Sequence, residues 1–324
     1  MIISRTPFRI SFFGGGTDFP LWYEEHGGAV LSTTIDKYCY LSCRDLPPFF
    51  DNKYRVVYSD IELTQSISEI RHPVVRACLD LLGFRERGVE VIHYADLPAR
   101  TGIGSSSSFT VGLLNALHAL NGSRVAREDL GREAIAVEQK ILCESVGSQD
   151  QMAAACGGLN EIRFSANEIK VSPIEISSER SKELEKSLIL IYTGVSRFSS
   201  EIAKAHVQNI PKKETELRLM TQMVDEAKKI LISSAPISEF GKLLHESWVI
   251  KSRLTQKIST SLVDEIYSVA LGSGADGGKL LGAGGGGFVL LSARPELHPK
   301  ILSALGRYLH VPFNFEVEGA SLIS

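Results

Sequence analysis

Residues 97–108 read Leu97-Pro98-Ala99-Arg100-Thr101-Gly102-Ile103-Gly104-Ser105-Ser106-Ser107-Ser108, and the pattern then changes: Phe109, Leu113, Leu117 and Leu120 recur at helical spacing until Asn121-Gly122. That spacing predicts a buried helix with Asn-Gly as its C-terminal stop. Glycines at the start of such a helix let its first N–H groups point at an anion, and the positive end of the helix dipole favours phosphate there. The stretch therefore predicts a phosphate cradle. It is not the nucleotide loop that ends in Gly-Lys-Ser/Thr, because no such triplet follows, and it lacks the third glycine of a dinucleotide fingerprint. A serine-rich cap on an ordinary helix is the alternative.

Upstream, Thr6-Pro7-Phe8-Arg9-Ile10-Ser11-Phe12-Phe13-Gly14-Gly15-Gly16-Thr17-Asp18 runs a strand into three glycines and a carboxylate. Consecutive glycines are kept where φ must be positive or a ligand must approach closely, which sets Asp18 at the lip of that approach; a plain glycine loop with a surface Asp is the competing account. Downstream, a helix from Asp129 to about Glu144 places Leu130, Ala134, Val137 and Ile141 on one face and leaves Glu138 on its flank, within reach of a pocket. Hydroxyls at the Ser105–Ser108 helix start and a carboxylate form a hard-oxygen set suited to Mg²⁺, which usually keeps waters and substrate phosphates. Ser106 and Glu138 are the expected pair. Val146-Gly147-Ser148-Gln149-Asp150-Gln151-Met152 is a turn feeding a short helix, and its residues alone give Asp150 only a capping role. The third glycine cluster, Lys279-Leu280-Leu281-Gly282-Ala283-Gly284-Gly285-Gly286-Gly287-Phe288, exceeds what a turn uses. It predicts backbone lying against something bulky, either the substrate or the phosphate loop.

With 324 residues, 44% hydrophobic and 23% charged, the chain can bury a full core in one large or two medium domains. Thirty-five Lys plus Arg against 38 Asp plus Glu give a net charge of −3. Without a basic surplus, nucleic acid is not an expected partner. No apolar run approaches the roughly 18 residues of a spanning helix, and Arg5 and Arg9 interrupt any leader-like core at the start. A cytoplasmic protein with no membrane partner is expected. The five cysteines are widely spread and read as reduced thiols. Strands are predicted at Ile2–Ile10, Ala29–Ile35, Tyr38–Cys43, Arg55–Tyr58, as a pair within Leu159–Ile176, at Leu188–Thr193 and at Phe288–Ser292. Later helices fall around Glu214–Ile232, Ser238–Leu254 and Ser261–Leu271. The irregular alternation points to α+β packing, and the polar run Ser177–Lys186 divides the chain into residues 1–176 and 177–324.

Taken together and in this order, the three clusters resemble the GHMP superfamily of small-molecule kinases, along the whole chain. The family's second motif, Pro then Gly-x-Gly-Ser-Ser, appears as Pro98 to Ser107, and its glycine-rich third motif as Gly282 to Gly287. The first segment, with Glu25-His26-Gly27-Gly28-Ala29-Val30-Leu31 and Thr34-Ile35-Asp36-Lys37-Tyr38 after it, looks most like the bacterial D-glycero-D-manno-heptose 7-phosphate kinases. The resemblance implies a two-lobed fold, its N-terminal lobe resembling the second domain of ribosomal protein S5 and its C-terminal lobe ferredoxin-like, with the active site between them. It further implies Asp150 as catalytic carboxylate with Arg9 as its cationic neighbour, and Ser106 and Glu138 as Mg²⁺ ligands, with the serine register open by one within Ser105 to Ser107. Pro98, Gly102, Ile103, Gly104 and Ser105 to Ser107 would hold the phosphates of ATP. Gly15, Gly16, Thr17, Asp18, Gly285 and Gly286 would meet the sugar. Arg100-Thr101 stands where several relatives have small residues, leaving two roles for Arg100, facing solvent or neutralising the triphosphate.

The implied reaction is ATP-dependent phosphorylation of the anomeric hydroxyl of D-glycero-D-manno-heptose 7-phosphate to the 1,7-bisphosphate, for nucleotide-activated heptose synthesis. The substrate's own phosphate needs partners away from ATP. Thr193-Gly194-Val195-Ser196-Arg197 offers hydroxyls and a guanidinium suited to it, with Arg197 as the main contact. Two other readings remain: a kinase of fucose or another free sugar, and a sensor that binds ATP and sugar without catalysis. A homo-oligomer is left open.

Overall fold

The computed structural model describes residues 1–196, 207–254 and 258–323. Arg197 lies outside them. In chain order the elements begin with β1 (Ile2–Phe13), α1 (Pro20–His26), β2 (Gly28–Asp45), β3 (Tyr54–Val57), β4 (Ile61–Thr64), α2 (Pro73–Leu81) and β5 (Val89–Ala95). There follow α3 (Ser105–Leu120), α4 (Arg127–Ala136), α5 (Gln149–Cys156), β6 (Asn160–Phe164), β7 (Ile169–Pro173), α6 (Ser178–Lys186) and β8 (Leu188–Tyr192). The remainder is α7 (Glu214–Ile232), α8 (Ile237–Ser252), α9 (Ser261–Ser273), β9 (Gly277–Leu280), β10 (Phe288–Ser292), α10 (His298–Ala304) and the short strands β11 (Leu309–His310), β12 (Phe315–Glu316) and β13 (Ser321–Ile323).

The first sheet is built on β2, whose length lets one half pair with β6 and the other with β5, while β1 runs antiparallel along most of it. β1 is buried on both faces from Pro7 onward, its apolar residues interrupted by buried Arg9 and Ser11. Pro7 has no N–H for the ladder, and the register shifts between Pro7 and Phe8. Such a bulge re-aims the side chains after it, of which Arg9 is one. The second sheet has the order β11-β8-β10-β9, all antiparallel. Two strands from residues beyond 177, β12 and β13, pair with β2 and β1, so that stretch contributes to both sheets.

α3 packs on β1 and β2, so its N-terminus opens at the sheet edge near Arg9. The polar run Ser177–Lys186 is itself helical, capped by Ser177 Oγ on Arg180 N. The helix expected to run to Glu144 stops being α-helical at Ala136 and continues as one π turn, Val137–Ile141, closed by Leu142 N–H to Val137 O at 2.9 Å. π turns recur at functional sites, and this one carries Glu138. α8 ties the layers together: the Phe240 ring stands edge-on to Phe12 at 5.3 Å and to Phe13 at 5.1 Å. All five cysteines are free thiols. Among the described residues no helix is long and apolar enough to cross a membrane.

Candidate active site

Gly104 takes the position before α3 with φ 76°, a left-handed conformation that a side chain would strain, and no described side chain caps the helix start. The serine-rich cap is thereby ruled out as the role of Ser105–Ser108. The first N–H groups of α3 open instead on a cavity of about 800 Å³, lined in part by Gly102, Gly104, Ser105 and Ser106. A Cβ on Gly104 would come within 3.3 Å of Arg9 Cγ and 3.5 Å of Asp150 Cγ. The anion-ready helix start therefore lies directly against the carboxylate and the guanidinium expected from the sequence.

Arg9 and Asp150, 141 residues apart, form a two-pronged pair: Arg9 Nε donates to Oδ1 at 2.8 Å and Nη2 to Oδ2 at 2.9 Å. Arg9 Nη1 donates to Gly102 O at 2.7 Å, and the Arg9 backbone N–H reaches Ile103 O at 3.1 Å. The guanidinium and the strand's own N–H thus fasten the Gly102–Gly104 loop and the carboxylate to one strand. The Arg9 side chain is 4% exposed, while Asp150 keeps 26%, enough to meet a ligand.

Asp18 also lines the cavity, but it is buried rather than set at a lip. Gly16 N donates to its Oδ1 at 2.8 Å and Gln149 Nε2 to its Oδ2 at 2.9 Å. Burial pushes its carboxyl above the ordinary range, with the negative charge of Asp150 adding to the rise and these hydrogen bonds opposing it. Gly147 lies so close that a Cβ there would overlap Asp18 Oδ2.

Glu138 is buried beside α3. Ser107 Oγ donates to its Oε2 at 3.0 Å, Thr110 Oγ1 to its Oε1 at 2.6 Å, and Gln151 Nε2 to Oε2. Ser106, paired with Glu138 in the sequence reading, is exposed instead. Residues 107 and 110, three apart, share the helix face toward Glu138. Burial pushes the Glu138 carboxyl up to about 7, against the pull of its three donors. Such a carboxyl suits a cation, and the buried hydroxyl of Ser105 lacks a hydrogen-bond partner. No group of three His, Cys, Asp or Glu clusters among the described residues, so the chain fits an ion held mostly by other ligands, as Mg²⁺ is on nucleotide phosphates.

Other expected residues lie elsewhere. The Thr17 hydroxyl donates to Gly14 O and Ala29 O inside the turn, away from the cavity. Pro98 O accepts from Thr101 Oγ1, and Ile103 is fully buried. Thr193 Oγ1 accepts from Gly287 N at 3.0 Å, and Gly194 is exposed beside it; Ser196 of this loop reaches the cavity. In the third cluster Gly285 N donates to Ile258 O and a Cβ on Gly286 would press on Val195 O, so Gly282 and Ala283 are the residues facing the cavity. A Cβ on Gly282 would meet Gly102 Cα at 2.3 Å, placing this turn against the loop before α3.

Lys251, Gln149 and the rings of His72, His93 and Phe109 line the cavity, and Thr110 bonds to Glu138; none of these roles was legible in the sequence. His72 stacks on Phe109 at 4.8 Å, and its imidazole is pushed down to about 4, chiefly by burial. Lys251 carried a signal: it follows Phe240, Leu244 and Trp248 on the buried face of α8, where a lysine is out of place.

Family comparison agrees with this geometry. A model of the GHMP kinases N terminal domain matches residues 70–158, and one of the GHMP kinases C terminal domain matches residues 219–310. The D-glycero-alpha-D-manno-heptose 7-phosphate kinase of Campylobacter jejuni is 28% identical, over 98% of this chain and 97% of its own. The bifunctional fucokinase/GDP-fucose pyrophosphorylase of Arabidopsis thaliana is 24% identical over 89% of this chain, which spans 29% of that longer protein. Among solved structures, a D-glycero-D-manno-heptose 1-phosphate kinase from Bacteroides thetaiotaomicron has a TM-score of 0.79 at 24% identity, covering 100% of this chain and 99% of that one.

Proposed function

The chain belongs to the GHMP kinases, and from that premise we propose that it is the ATP-dependent kinase of D-glycero-D-manno-heptose 7-phosphate, phosphorylating the anomeric hydroxyl to give the 1,7-bisphosphate. The observation that carries the kinase reading is the uncapped start of α3 lying against the Arg9–Asp150 pair in one cavity. The heptose phosphate as acceptor is supported by a relative of that activity matched along nearly the whole of both chains.

Phosphoryl transfer asks the protein mainly for in-line positioning and neutralised charge. The N–H groups at the α3 start and the 102–107 loop hold the donor's phosphates, and Arg9 draws charge from the transferring group. Asp150 aims the acceptor hydroxyl and takes its proton. Buried Asp18, held by Gly16 and Gln149, receives sugar hydroxyls. Glu138, with Ser107 or Ser106, would hold Mg²⁺, which would supply charge neutralisation to the donor's phosphates.

ADP release with Mg-ATP and a panel of D-glycero-D-manno-heptose 7-phosphate, free heptose, fucose and galactose tests the reading. Turnover confined to the phosphorylated heptose is expected. Preference for a free sugar would overturn the acceptor, and silence with every acceptor would overturn the kinase.

A further inference from the structure

Lys251 ends the buried face of α8 and opens on the cavity shared by Arg9, Asp18 and Asp150. An ammonium has three donors, and among the described residues its hydrogen-bond partner is one carbonyl, Gly282 O at 2.6 Å. No ion pair ties it to a described carboxylate, since Asp150 is engaged by Arg9 and Asp18 by Gly16 and Gln149. Burying a cation whose neighbouring carboxylates are already engaged by other donors is costly, so its surroundings call for an anionic ligand. Its acceptor, Gly282, packs so close to Gly102 of the phosphate loop that a Cβ would overlap it, and a Cβ on Gly104 of that loop would come within 3.3 Å of Arg9 and 3.5 Å of Asp150. The amine therefore stands where the phosphate loop, the glycine turn and the catalytic pair meet.

We propose that Lys251 is a catalytic residue whose ammonium donates to the oxygens of the phosphoryl group in transfer, alongside Arg9. The inference rests on the kinase reading. In the step, the acceptor hydroxyl oxygen forms a bond to the γ-phosphorus of ATP. The bond from that phosphorus to the β–γ bridging oxygen breaks with its electron pair leaving on ADP, and the hydroxyl proton goes to Asp150. Lys251 keeps its proton throughout and matches the charge on the moving phosphoryl oxygens.

The groups facing Lys251 are Arg9 from β1, Asp18 from the following turn, Asp150 from α5 and Lys279 from β9, whose own amine donates to Phe12 O at 2.6 Å. Burial and then the Arg9 charge push the Lys251 amine down to about 8, while Asp18 and Asp150 pull it up. A role that needs the ammonium gives kcat/KM an alkaline limb near that value in the free enzyme.

Steady-state ADP release should be measured with Mg-ATP and the preferred acceptor for the wild type, Lys251→Met and Lys251→Arg, across pH. Loss of a donor to developing charge is expected to lower kcat by about 100-fold in Lys251→Met with little change in either KM. Lys251→Arg should recover much of the turnover and move the alkaline limb upward, because a guanidinium stays charged; a merely structural lysine would leave that limb in place. A folded Lys251→Met with wild-type kcat, or the same limb in the wild type and Lys251→Arg, overturns the proposal. Should Lys251→Met not fold, the limb decides alone. A wild type silent with every acceptor removes the kinase reading and the proposal together, whereas an active wild type with an unimpaired variant removes only the proposal.

Discussion

Asp150 is fixed by two bonds from Arg9 yet keeps an exposed edge toward the cavity, the geometry of a carboxylate that meets a substrate hydroxyl. Asp150→Asn should lower kcat by roughly 100- to 10,000-fold if it removes a proton in the transition state; turnover near wild type in single-turnover assays would leave it only an aiming role. Glu138 makes a pH prediction. Its folded-state value of about 7 lies above the ordinary carboxyl value, so the folded chain holds a proton that the unfolded chain has released. Stability from this group is present below about pH 4.3 and is lost as pH rises toward 7. Melting curves should therefore show wild type losing ground to Glu138→Gln across that window and running parallel to it above; parallel curves throughout would contradict the buried, proton-holding state. At this scale the sequence was informative where a residue type was out of place and silent where partners were remote. Asp150 looks like a cap until a strand far upstream brings Arg9 to it, and the identity of the serine on Glu138 depends on helix phase, which spacing leaves open by one.

The glycine turn before β10 and the loop before α3 act as a pair of interlocked elements. Gly102 and Gly282 have φ of 83° and 69°; a Cβ on Gly282 would run into Gly102 Cα, and one on Gly102 would run into the Leu281 carbonyl. Gly282→Ala must push the phosphate loop aside, and a shift of about 1 Å at a reacting group can cost about 100-fold in rate. The expected result is a large fall in kcat/KM for ATP with secondary structure retained by circular dichroism; wild-type kinetics would mean that the turn and loop move independently. Most helices were legible from apolar spacing, as in Glu214–Ile232, reinforced by an Asn-Gly stop after Ser105–Leu120. The π turn was not, since five residues of altered hydrogen bonding leave no mark in apolar periodicity. Glycine count located the third cluster but misjudged its exposed end, because four consecutive glycines carry no side-chain pattern to say which of them faces the ligand.

On the scale of the whole molecule, Phe240 is the clearest bond between the first sheet and the helices of the later half, with its ring fully buried between Phe12 and Phe13. Phe240→Ala should cost about 3–5 kcal/mol, measured as a lower midpoint in urea. A change under about 1 kcal/mol, the range of tolerated core swaps, would mean that the layers hold together without it. The strands near the chain's end were not legible, since β12 and β13 are two and three residues long and owe their existence to the open flanks of β2 and β1. Their neighbour Ala320 donates its N–H to Ala154 O and Ala155 O at the end of α5, the helix that begins beside Asp150. Ribosomal synthesis reaches this brace last among the described strands. A nascent chain can therefore assemble most of its first sheet and the 97–104 loop while the helix carrying Asp150 still lacks its final tether, and β1 presents an open edge until residues 321–323 have emerged.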